Sequence, residues 1–457
     1  MNEIDHIKNV LDITNKEVSP TFCLAKWHHT TLYLQTGETH SCYHPPPHKI
    51  LIEEIKNNPS ALHNTSEKKM QRSLMLKGEK PVGCNYCWNI ENLGSEYVSD
   101  RHIKTASIYT PERLAEIKNN SFDFNINPEY IEISFSNECN FKCGYCHPKA
   151  SSRFWNEIEE FGPYKDSTEH RQDIDWFTVY KTEDENPFVE AWWKWWPTVS
   201  KTLNILRITG GEPLLHKSTW KLLDLLDKNP KPYLQIELNT NLGVKKSLIE
   251  KLVKKITKLH QENKIKSFKL YSSIDTWTSR AEYVRTGLDL KLWEENLDYF
   301  LMNSNYPITF MITFNIFSVT SFDSLLLKIL EWRKKYNNDK VEQWQRIRFD
   351  TPHLKEPYIF DMNILPKSEY LPYMYKHMDF FKKNLDDNNK LKFSTIELKK
   401  FDRILNYMKG TEFSELKLLE IRRNFTNWFD EYDRRRKLNR YDYFPEMKGF
   451  FELCKKI

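Results

Sequence analysis

The chain has 457 residues with 68 Lys and Arg against 63 Asp and Glu, so its formal net charge is only +5. This length predicts one large enzyme domain with smaller appended units, and the dispersed basic residues argue against a nucleic-acid partner. No apolar run reaches the roughly twenty residues that span a bilayer, and residues 1–20 lack the apolar core of a signal peptide. We therefore expect a cytoplasmic protein without a membrane partner, in which eight cysteines favour metal or redox chemistry over disulfides.

Residues 1–20 form an N-terminal lead, and the unit that follows, at residues 21–94, contains four cysteines. Residues 30–42 alternate apolar and polar side chains around Gly37, which predicts a β-hairpin with Cys42 on its far arm. Helices are expected at residues 49–56 and 66–77. Four thiols form a complete ligand set for one metal centre: Cys23, Cys42, Cys84 and Cys87. Tetrahedral zinc and a 4Fe-4S cluster both suit such a set, and zinc could also use His28, His29, His40 and His44.

The rest of the chain predicts an α/β fold. Residues 95–128 form a polar linker with one short helix, Pro111–Asn119, for which Thr110 is the expected N-cap. Over residues 129–365 strand and helix patterns alternate, and six βα units predict a parallel sheet in a partial, TIM-like (β/α)6 barrel. Residues 366–457 predict a helical C-terminal extension. The strands are expected at residues 130–136, 203–209, 233–239, 267–274, 308–315 and 345–350, and the helices at 214–227, 247–262, 291–303 and 321–335.

Three cysteines follow the first of these strands with the spacing C-x3-C-x2-C, namely Cys139, Cys143 and Cys146. Three thiolates can hold three irons of a 4Fe-4S cube, and no fourth cysteine is near enough in sequence to complete the same loop. One iron is then left open for another ligand. A zinc knuckle and three buried core cysteines are the alternatives.

Polar motifs follow the next strands, at the edge of a barrel where functional loops collect. The second strand leads into Gly210, Gly211 and Glu212, where paired glycines let the backbone approach a ligand and the carboxylate can accept from an ammonium group. Asn241 ends the third strand. The fourth ends with Ser273 and Asp275, and Arg285 follows it. Arg348 and Asp350 end the sixth strand and are candidate substrate contacts.

These motifs, in this order, resemble the radical SAM superfamily, and the whole chain resembles its twitch domain-containing members from phages and aquatic bacteria. The residues that carry the resemblance are the three-cysteine loop, the Gly-Gly-Glu-Pro loop, the segments Asn-Thr-Asn and Ser-Ile-Asp, and a late Phe-Pro-Glu. A cysteine, a Gly-x4-Cys hairpin, a helical stretch and a C-x2-C pair also resemble the SPASM/twitch module. Most enzymes carry that module after the catalytic domain, whereas in this group, as here, it comes first.

The resemblance implies a role for each motif. S-adenosylmethionine (SAM) would bind the open iron of the cluster at Cys139, Cys143 and Cys146, and a second, auxiliary 4Fe-4S cluster would occupy the N-terminal twitch-like unit. The residues expected to bind SAM are Tyr145, Gly210, Gly211, Glu212, Asn241, Ser273, Asp275 and Arg285. Arg285 would pair with the SAM carboxylate, and the glycine loop would bind the amino group.

The resemblance also implies a reaction. One electron, from a reductant such as flavodoxin or ferredoxin, would cleave SAM and give a 5′-deoxyadenosyl radical that removes hydrogen from a peptide or a carbohydrate- or nucleotide-like substrate. Two other classes of protein fit the cysteines. One is a zinc-ribbon module that binds nucleic acid or protein, and the other is an iron–sulfur redox or sensor protein that does not cleave SAM.

Three further features receive structural interpretations. Residues 192–196 contain four tryptophans and are expected to lie on a helix that packs against the barrel. The basic residues 434–437 follow acidic residues at 430, 431 and 433, so they are expected to form a solvated helix face rather than an RNA contact. Cys454 stands alone and is interpreted as a partly buried thiol.

Overall fold

The computed structural model describes residues 3–92, 94, 98–164, 174, 178–336 and 346–457. The chain forms two compact units. The first comprises Met1–Ser136, Val179–Gly210 and Asn229–Ile236, and the second comprises Asn137–Thr178, Gly211–Lys228 and Glu237–Ile457. No helix within the described ranges combines the length and the apolar character needed to cross a membrane.

The described strands are β1 His29–Tyr33, β2 Glu38–His40, β3 His48–Lys49, β4 Tyr130–Ser134, β5 Ile205–Thr209, β6 Lys231–Thr240, β7 Ile265–Ser273, β8 Ile308–Met311 and β9 Ile347–Asp350. The helices of the first half are α1 Glu3–Glu17, α2 Ala25–His28, α3 Ile52–Asn57, α4 Ser66–Leu76, α5 Asn85–Glu91, α6 Asp100–Ile108, α7 Pro111–Asn119, α8 Ser152–Phe161 and α9 Pro187–Val199. The remaining helices are α10 Lys217–Lys228, α11 Lys246–Gln261, α12 Ser279–Val284, α13 Leu290–Asn303, α14 Phe322–Tyr336, α15 Lys367–Lys383, α16 Thr395–Gly410, α17 Glu415–Arg436, α18 Arg440–Tyr443 and α19 Lys448–Lys455.

The predicted hairpin is present in the first unit. β1 and β2 pair antiparallel with Thr31 opposite His40, and Gly37 between them has φ +64°, a conformation that glycine adopts without strain. β2 ends at His40, so Cys42 lies two residues beyond the strand rather than within it. β1 also pairs in parallel with β4, and β4 with β5, so the strand order in this unit is β3-β2-β1-β4-β5-β6. The hairpin therefore extends the same sheet as the first predicted barrel strand.

The second unit continues with parallel strands in the order β6-β7-β8-β9, β6 being divided between the units. In β8, Thr309 lies opposite Tyr271 of β7 on one side and opposite Arg348 of β9 on the other. Ile308 and Phe310, on the opposite face of β8, are fully buried. Thr309 is also buried, at 6% exposed, so side chains on both faces of β8 are covered, as is usual for a strand of a parallel sheet.

All six strands and four helices predicted for the barrel region are present, with ends shifted by a few residues. β8 is the largest difference, because it ends at Met311, four residues before the predicted end. The predicted start of the last strand, at residue 345, lies outside the described residues. The nine-stranded sheet with its many helices confirms the mixed α/β class. Closure into a barrel and the twitch assignment stay predictions.

The tryptophan-rich segment forms α9, which begins after Asn186, whose side chain accepts from the N–H groups of Phe188 and Val189. Trp192 is fully buried and lies edge-on to Phe135, 6.1 Å away between ring centroids. The interpretation of this segment as a packing helix is thus confirmed. Residues 366–457 are helical as predicted, and Cys454 is buried in α19.

Candidate metal centres

The three-cysteine loop follows β4 and is fixed by the helix after it. The side chain of Ser151, the N-cap of α8, donates to the backbone oxygen of Phe141 over 2.6 Å, and the N–H of Cys139 donates to Ser152 Oγ over 3.1 Å. Cys143 is buried, and burial raises the pKa of all three thiols, that of Cys146 to about 12. The thiols are therefore protonated at neutral pH without metal, and binding a metal must displace their protons.

The glycine loop lies directly against this cysteine loop. A Cβ on Gly211 would stand 2.3 Å from the backbone oxygen of Glu138, closer than any side chain allows. Gly210 has φ +118°, a region that favours glycine. The N–H of Glu212 donates to the same Glu138 oxygen over 2.8 Å. The paired glycines are thus required so that the two loops can touch.

Glu212 is buried, and burial raises the pKa of its carboxyl to about 7 although three hydrogen bonds oppose the shift. Oε1 accepts from the N–H of Leu214 and the hydroxyl of Thr240, at 3.1 and 2.9 Å. Oε2 accepts from the N–H of Asn241 at 2.6 Å. A carboxylate oxygen can accept two bonds, so Oε2 keeps room for one more donor.

Asn241 connects the end of β6 to the cysteine loop. Its side-chain nitrogen lies 2.8 Å from Asn140 Oδ1 and 3.9 Å from the sulfur of Cys139, and Asn140 in turn donates to the backbone oxygen of Gly243 over 2.7 Å. This amide would therefore hold the first thiolate of the loop in place.

Three of the predicted SAM-binding residues form one buried network beside Cys143. Asp275 accepts from Arg285 Nη2 at 2.9 Å and from the hydroxyl of Tyr145 at 2.6 Å, and it also accepts from the N–H of Thr313 at 2.9 Å. Arg285 Nη1 lies 3.9 Å from the sulfur of Cys143. Nε of Arg285 is buried without a hydrogen-bond partner within the described residues, which is the condition expected of a donor that awaits a ligand. Ser273 ends β7, two residues before Asp275.

Arg436 also holds the cysteine loop, and the sequence analysis missed it. Arg436 Nη1 donates to the backbone oxygen of Lys142 over 2.7 Å, and the guanidinium is ion-paired with Glu157 at 3.1 Å. Both side chains are at most 1% exposed. The predicted solvated face at residues 434–437 is therefore wrong for Arg436 and for the buried Arg435, whereas it is right for Arg434, which is 60% exposed, and for the exposed Lys437. The pattern of neighbouring residues could not predict this contact, because Arg436 and Lys142 are 294 positions apart in the sequence.

We expect Arg436→Met to destabilise the cysteine loop. The substitution leaves Glu157 buried with only Lys142 as a cationic partner, and breaking a buried ion pair costs about 3–5 kcal/mol. Denaturant unfolding and iron retention after reconstitution measure the effect. The matched control is Arg434→Met, whose exposed pair with Glu431 should leave stability nearly unchanged. Equal effects of the two substitutions would contradict this role for Arg436.

The four N-terminal cysteines line one cavity of the first unit. Cys23 precedes α2, Cys42 follows β2, Cys84 precedes α5 and Cys87 lies within it. Burial, reinforced by the neighbouring thiols, raises the pKa of Cys23 to about 11 and that of Cys87 to about 12. The other lining residues include Lys26, His44, Met75, Asp100, Arg101 and Lys104. The last three belong to α6. This helix was not predicted from the sequence, although Ser99 forms a capping box at its start.

Two of the histidines near this cavity have hydrogen-bond partners in the protein. His44 lines the cavity, but its Nε2 bonds Asp100 Oδ2 at 2.7 Å and its ring stacks on Tyr86. The ring of His40 bonds the backbone oxygen of Cys42. His28 Nδ1 lies 3.5 Å from Glu129, and neither ring nitrogen of His28 has a hydrogen-bond partner within the described residues. Among the described residues no three His, Cys, Asp or Glu side chains are grouped closely enough to hold a single ion.

Comparison with known proteins gives one match in sequence. No protein-family model matches the chain. It is 27% identical over 124 residues to GTP 3′,8-cyclase of Nautilia profundicola, a radical SAM enzyme, and the match covers 27% of this chain and 31% of that protein. This chain therefore spans about a third of the length of that curated relative.

A solved structure, Streptococcus suis SuiB bound to precursor peptide SuiA, is 15% identical, covering 64% of this chain and 56% of that one with a TM-score of 0.33. A likeness at this level supports no conclusion about fold or function. The assignment depends instead on the cyclase match and on the three-cysteine and Gly-Gly-Glu-Pro motifs in their predicted order. The cyclase match and these motifs together support a protein of the radical SAM superfamily.

Proposed function

We propose that this protein is an enzyme that reductively cleaves SAM at a 4Fe-4S cluster held by Cys139, Cys143 and Cys146, and that the resulting 5′-deoxyadenosyl radical removes hydrogen from a substrate. The observation that carries the proposal is the meeting of the cysteine loop with three polar groups from separate strand ends: Glu212, Asn241 and the pair of Asp275 with Arg285. The cluster would supply the electron, and SAM the radical.

The protein's own residues would bind and orient these groups. Arg285 places a buried positive charge beside Cys143, which favours the thiolate, and its free Nε can donate to a carboxylate such as that of SAM. Glu212 Oε2 can accept from an ammonium group. Asp275 keeps Arg285 and Tyr145 in fixed positions. Burial of this network excludes water from a reactive radical.

We further propose that Cys23, Cys42, Cys84 and Cys87 hold an auxiliary 4Fe-4S cluster. Four cysteines line one cavity of the first unit, and they are the complete thiolate set of such a centre, which supports this proposal. The substrate is a peptide or a carbohydrate- or nucleotide-like molecule, and the electron donor is a flavodoxin or ferredoxin.

The test is anaerobic reconstitution with iron and sulfide, followed by incubation with dithionite and SAM. Formation of 5′-deoxyadenosine, followed by mass spectrometry, is the expected result. If protein with an intact cluster forms none, the radical reaction is excluded and a redox or sensor protein is left. If purified protein contains zinc and no acid-labile sulfide, the zinc-ribbon alternative is favoured.

Gly211→Ala should reduce both cluster retention and SAM cleavage. The new Cβ would overlap the backbone oxygen of Glu138, so the two loops must separate, at a cost of about 1–3 kcal/mol or more. Iron content and the rate of 5′-deoxyadenosine formation measure the change. Gly410→Ala is the matched control, because no atom lies within 4 Å of a Cβ at the end of α16. If the Gly211 and Gly410 variants have equal iron content and equal rates of 5′-deoxyadenosine formation, the close approach of the two loops is not needed for function.

A further inference from the structure

Three buried cations, of which Lys26 lines the four-cysteine cavity, have no acidic partner in the part of the chain that the structure describes. Lys26, Lys68 and Arg72 are 2%, 0% and 0% exposed, and within the described residues no carboxylate lies within ion-pair distance of them. We call these three residues the cation shell. Buried charges are normally paired, because an isolated charge in a protein interior costs several kcal/mol.

The hydrogen bonds of the cation shell all go to neutral groups. Lys68 Nζ donates to the hydroxyls of Thr30 and Thr39 at 2.7 and 2.8 Å. Lys26 Nζ donates to Gln71 Oε1 at 2.7 Å. Arg72 donates to the side-chain oxygen of Asn64 at 3.0 Å and to the backbone oxygen of Lys26 at 3.2 Å, and its Nη2 lies 2.9 Å from Nε2 of His63. Their polar groups are therefore satisfied, but their charge is not.

The carboxylates nearest the cavity already neutralise other groups. Glu91 pairs with Arg101 at 2.8 Å, and Asp100 bonds His44 at 2.7 Å. Neither can serve the cation shell as well. The buried region around the cysteines thus has an excess of positive charge that the protein itself does not balance.

The cation shell adjoins the cysteines. Lys26 lines the cavity together with all four thiols, Arg72 bonds the backbone of Lys26, and Lys68 bonds Thr39, three residues before Cys42. Burial and the neighbouring cations hold the pKa of Lys68 well below its usual range, and a thiolate at Cys42 acts in the opposite direction. Negative charge at the cysteines would therefore favour the charged ammonium.

We propose that the cation shell is the countercharge of an anionic metal–tetrathiolate centre at Cys23, Cys42, Cys84 and Cys87. This inference depends on the proposed auxiliary site, but not on which metal fills it: four thiolates around an oxidised 4Fe-4S cube or around Zn²⁺ both carry a net charge of about −2. Each cation stabilises the filled site and destabilises the empty one. The loaded centre is then part of the folded core.

A double-mutant cycle tests whether Lys68 stabilises the protein with the filled site and destabilises it with the empty one. Thermal unfolding of the full-length protein is the readout. The four proteins are the reconstituted parent, Lys68→Met, Cys84→Ala/Cys87→Ala, and the triple variant. Lys68→Met should lower the unfolding temperature where the centre is present, because an attraction is lost. It should raise that temperature in the background without the two cysteines, because an uncompensated buried charge is removed.

Lys69→Met is the matched control, since Lys69 is the next residue on α4 but is only partly buried. Lys69→Met should change the unfolding temperature by a similar amount in the parent and in the variant that lacks Cys84 and Cys87. A shift of the same sign for Lys68→Met in both backgrounds would overturn the inference. If Lys68→Met does not fold when loaded, the rate of metal loss to a chelator from Lys68→Gln replaces the unfolding temperature, and loss no faster than from the parent would overturn it.

Metal analysis of the parent separates this inference from the proposed function. One outcome is zinc at the four cysteines together with shifts of the unfolding temperature by Lys68→Met in opposite directions in the two backgrounds. That result would support the countercharge and contradict the auxiliary iron–sulfur cluster. The absence of any metal at these cysteines would overturn the countercharge, while 5′-deoxyadenosine formation would still test the cluster at Cys139, Cys143 and Cys146.

Discussion

Cys143→Ala should reduce 5′-deoxyadenosine formation to the level seen without protein. Cys143 is the most buried of the three loop cysteines and lies 3.9 Å from Arg285 Nη1, so its thiolate would be the one that the buried cation stabilises. Alanine leaves two thiolates for the cluster, so the cluster should fail to assemble, whereas Arg285 keeps its buried ion pair with Asp275. Mass spectrometry of the nucleoside product and iron analysis measure both effects.

Cys454→Ala is the control for this experiment. Cys454 is a buried cysteine of α19 that lines neither cysteine cluster, so its loss removes a similar side-chain volume without touching a proposed ligand. It should leave the nucleoside product unchanged at equal iron content. If Cys143→Ala still forms the product above background, Cys143 is not a ligand of the SAM cluster.

Cys84→Ala should separate the two proposed clusters. Its loss should lower the iron content from about eight to about four atoms per chain, because each cube contains four irons. The cysteines proposed to hold the SAM cluster lie in the other compact unit, so cleavage of SAM without substrate should remain detectable. Iron and sulfide analysis together with the nucleoside assay measure this outcome.

Equal loss of product in Cys84→Ala and Cys143→Ala, with both proteins folded, would refute the division between a SAM cluster and an auxiliary one. Circular dichroism and the unfolding temperature decide whether the variants are folded. Retention of all iron in Cys84→Ala would instead show that this cysteine is not a ligand.

Much of the fold could be predicted, because strands and helices with one buried face repeat their apolar residues at fixed periods. β4 and β7 were predicted within two residues of their ends on this basis. The pairing of β1 with β4 could not be predicted, since a strand's pattern shows which face is buried but not which strand lies beside it. Helix α6 was missed because its sequence is polar and its capping box has His102, rather than the usual Glu or Gln, at the third position.

Some features of the candidate sites could likewise be predicted from the sequence, and others could not. Cysteine spacing and the glycine loop are local signals, and the contact of Gly211 with Glu138 gives the loop a physical reason. Arg285 was predicted to pair with the SAM carboxylate, and that remains a prediction. Its ion pair with Asp275 joins residues ten apart through the fold and was not foreseen. The cation shell had no signal in the sequence, because three cations are unusual only once their burial is known.

The contact between Arg436 and Lys142 also has a consequence for biosynthesis. The two residues are 294 positions apart, and a ribosome adds about 5–20 residues per second, so roughly 15–60 seconds separate their synthesis. During that interval the nascent cysteine loop lacks the guanidinium that holds its backbone and pairs with Glu157. Stable insertion of a cluster into this loop is therefore expected to follow release of the completed helix α17, and the iron–sulfur assembly machinery would meet this protein after translation.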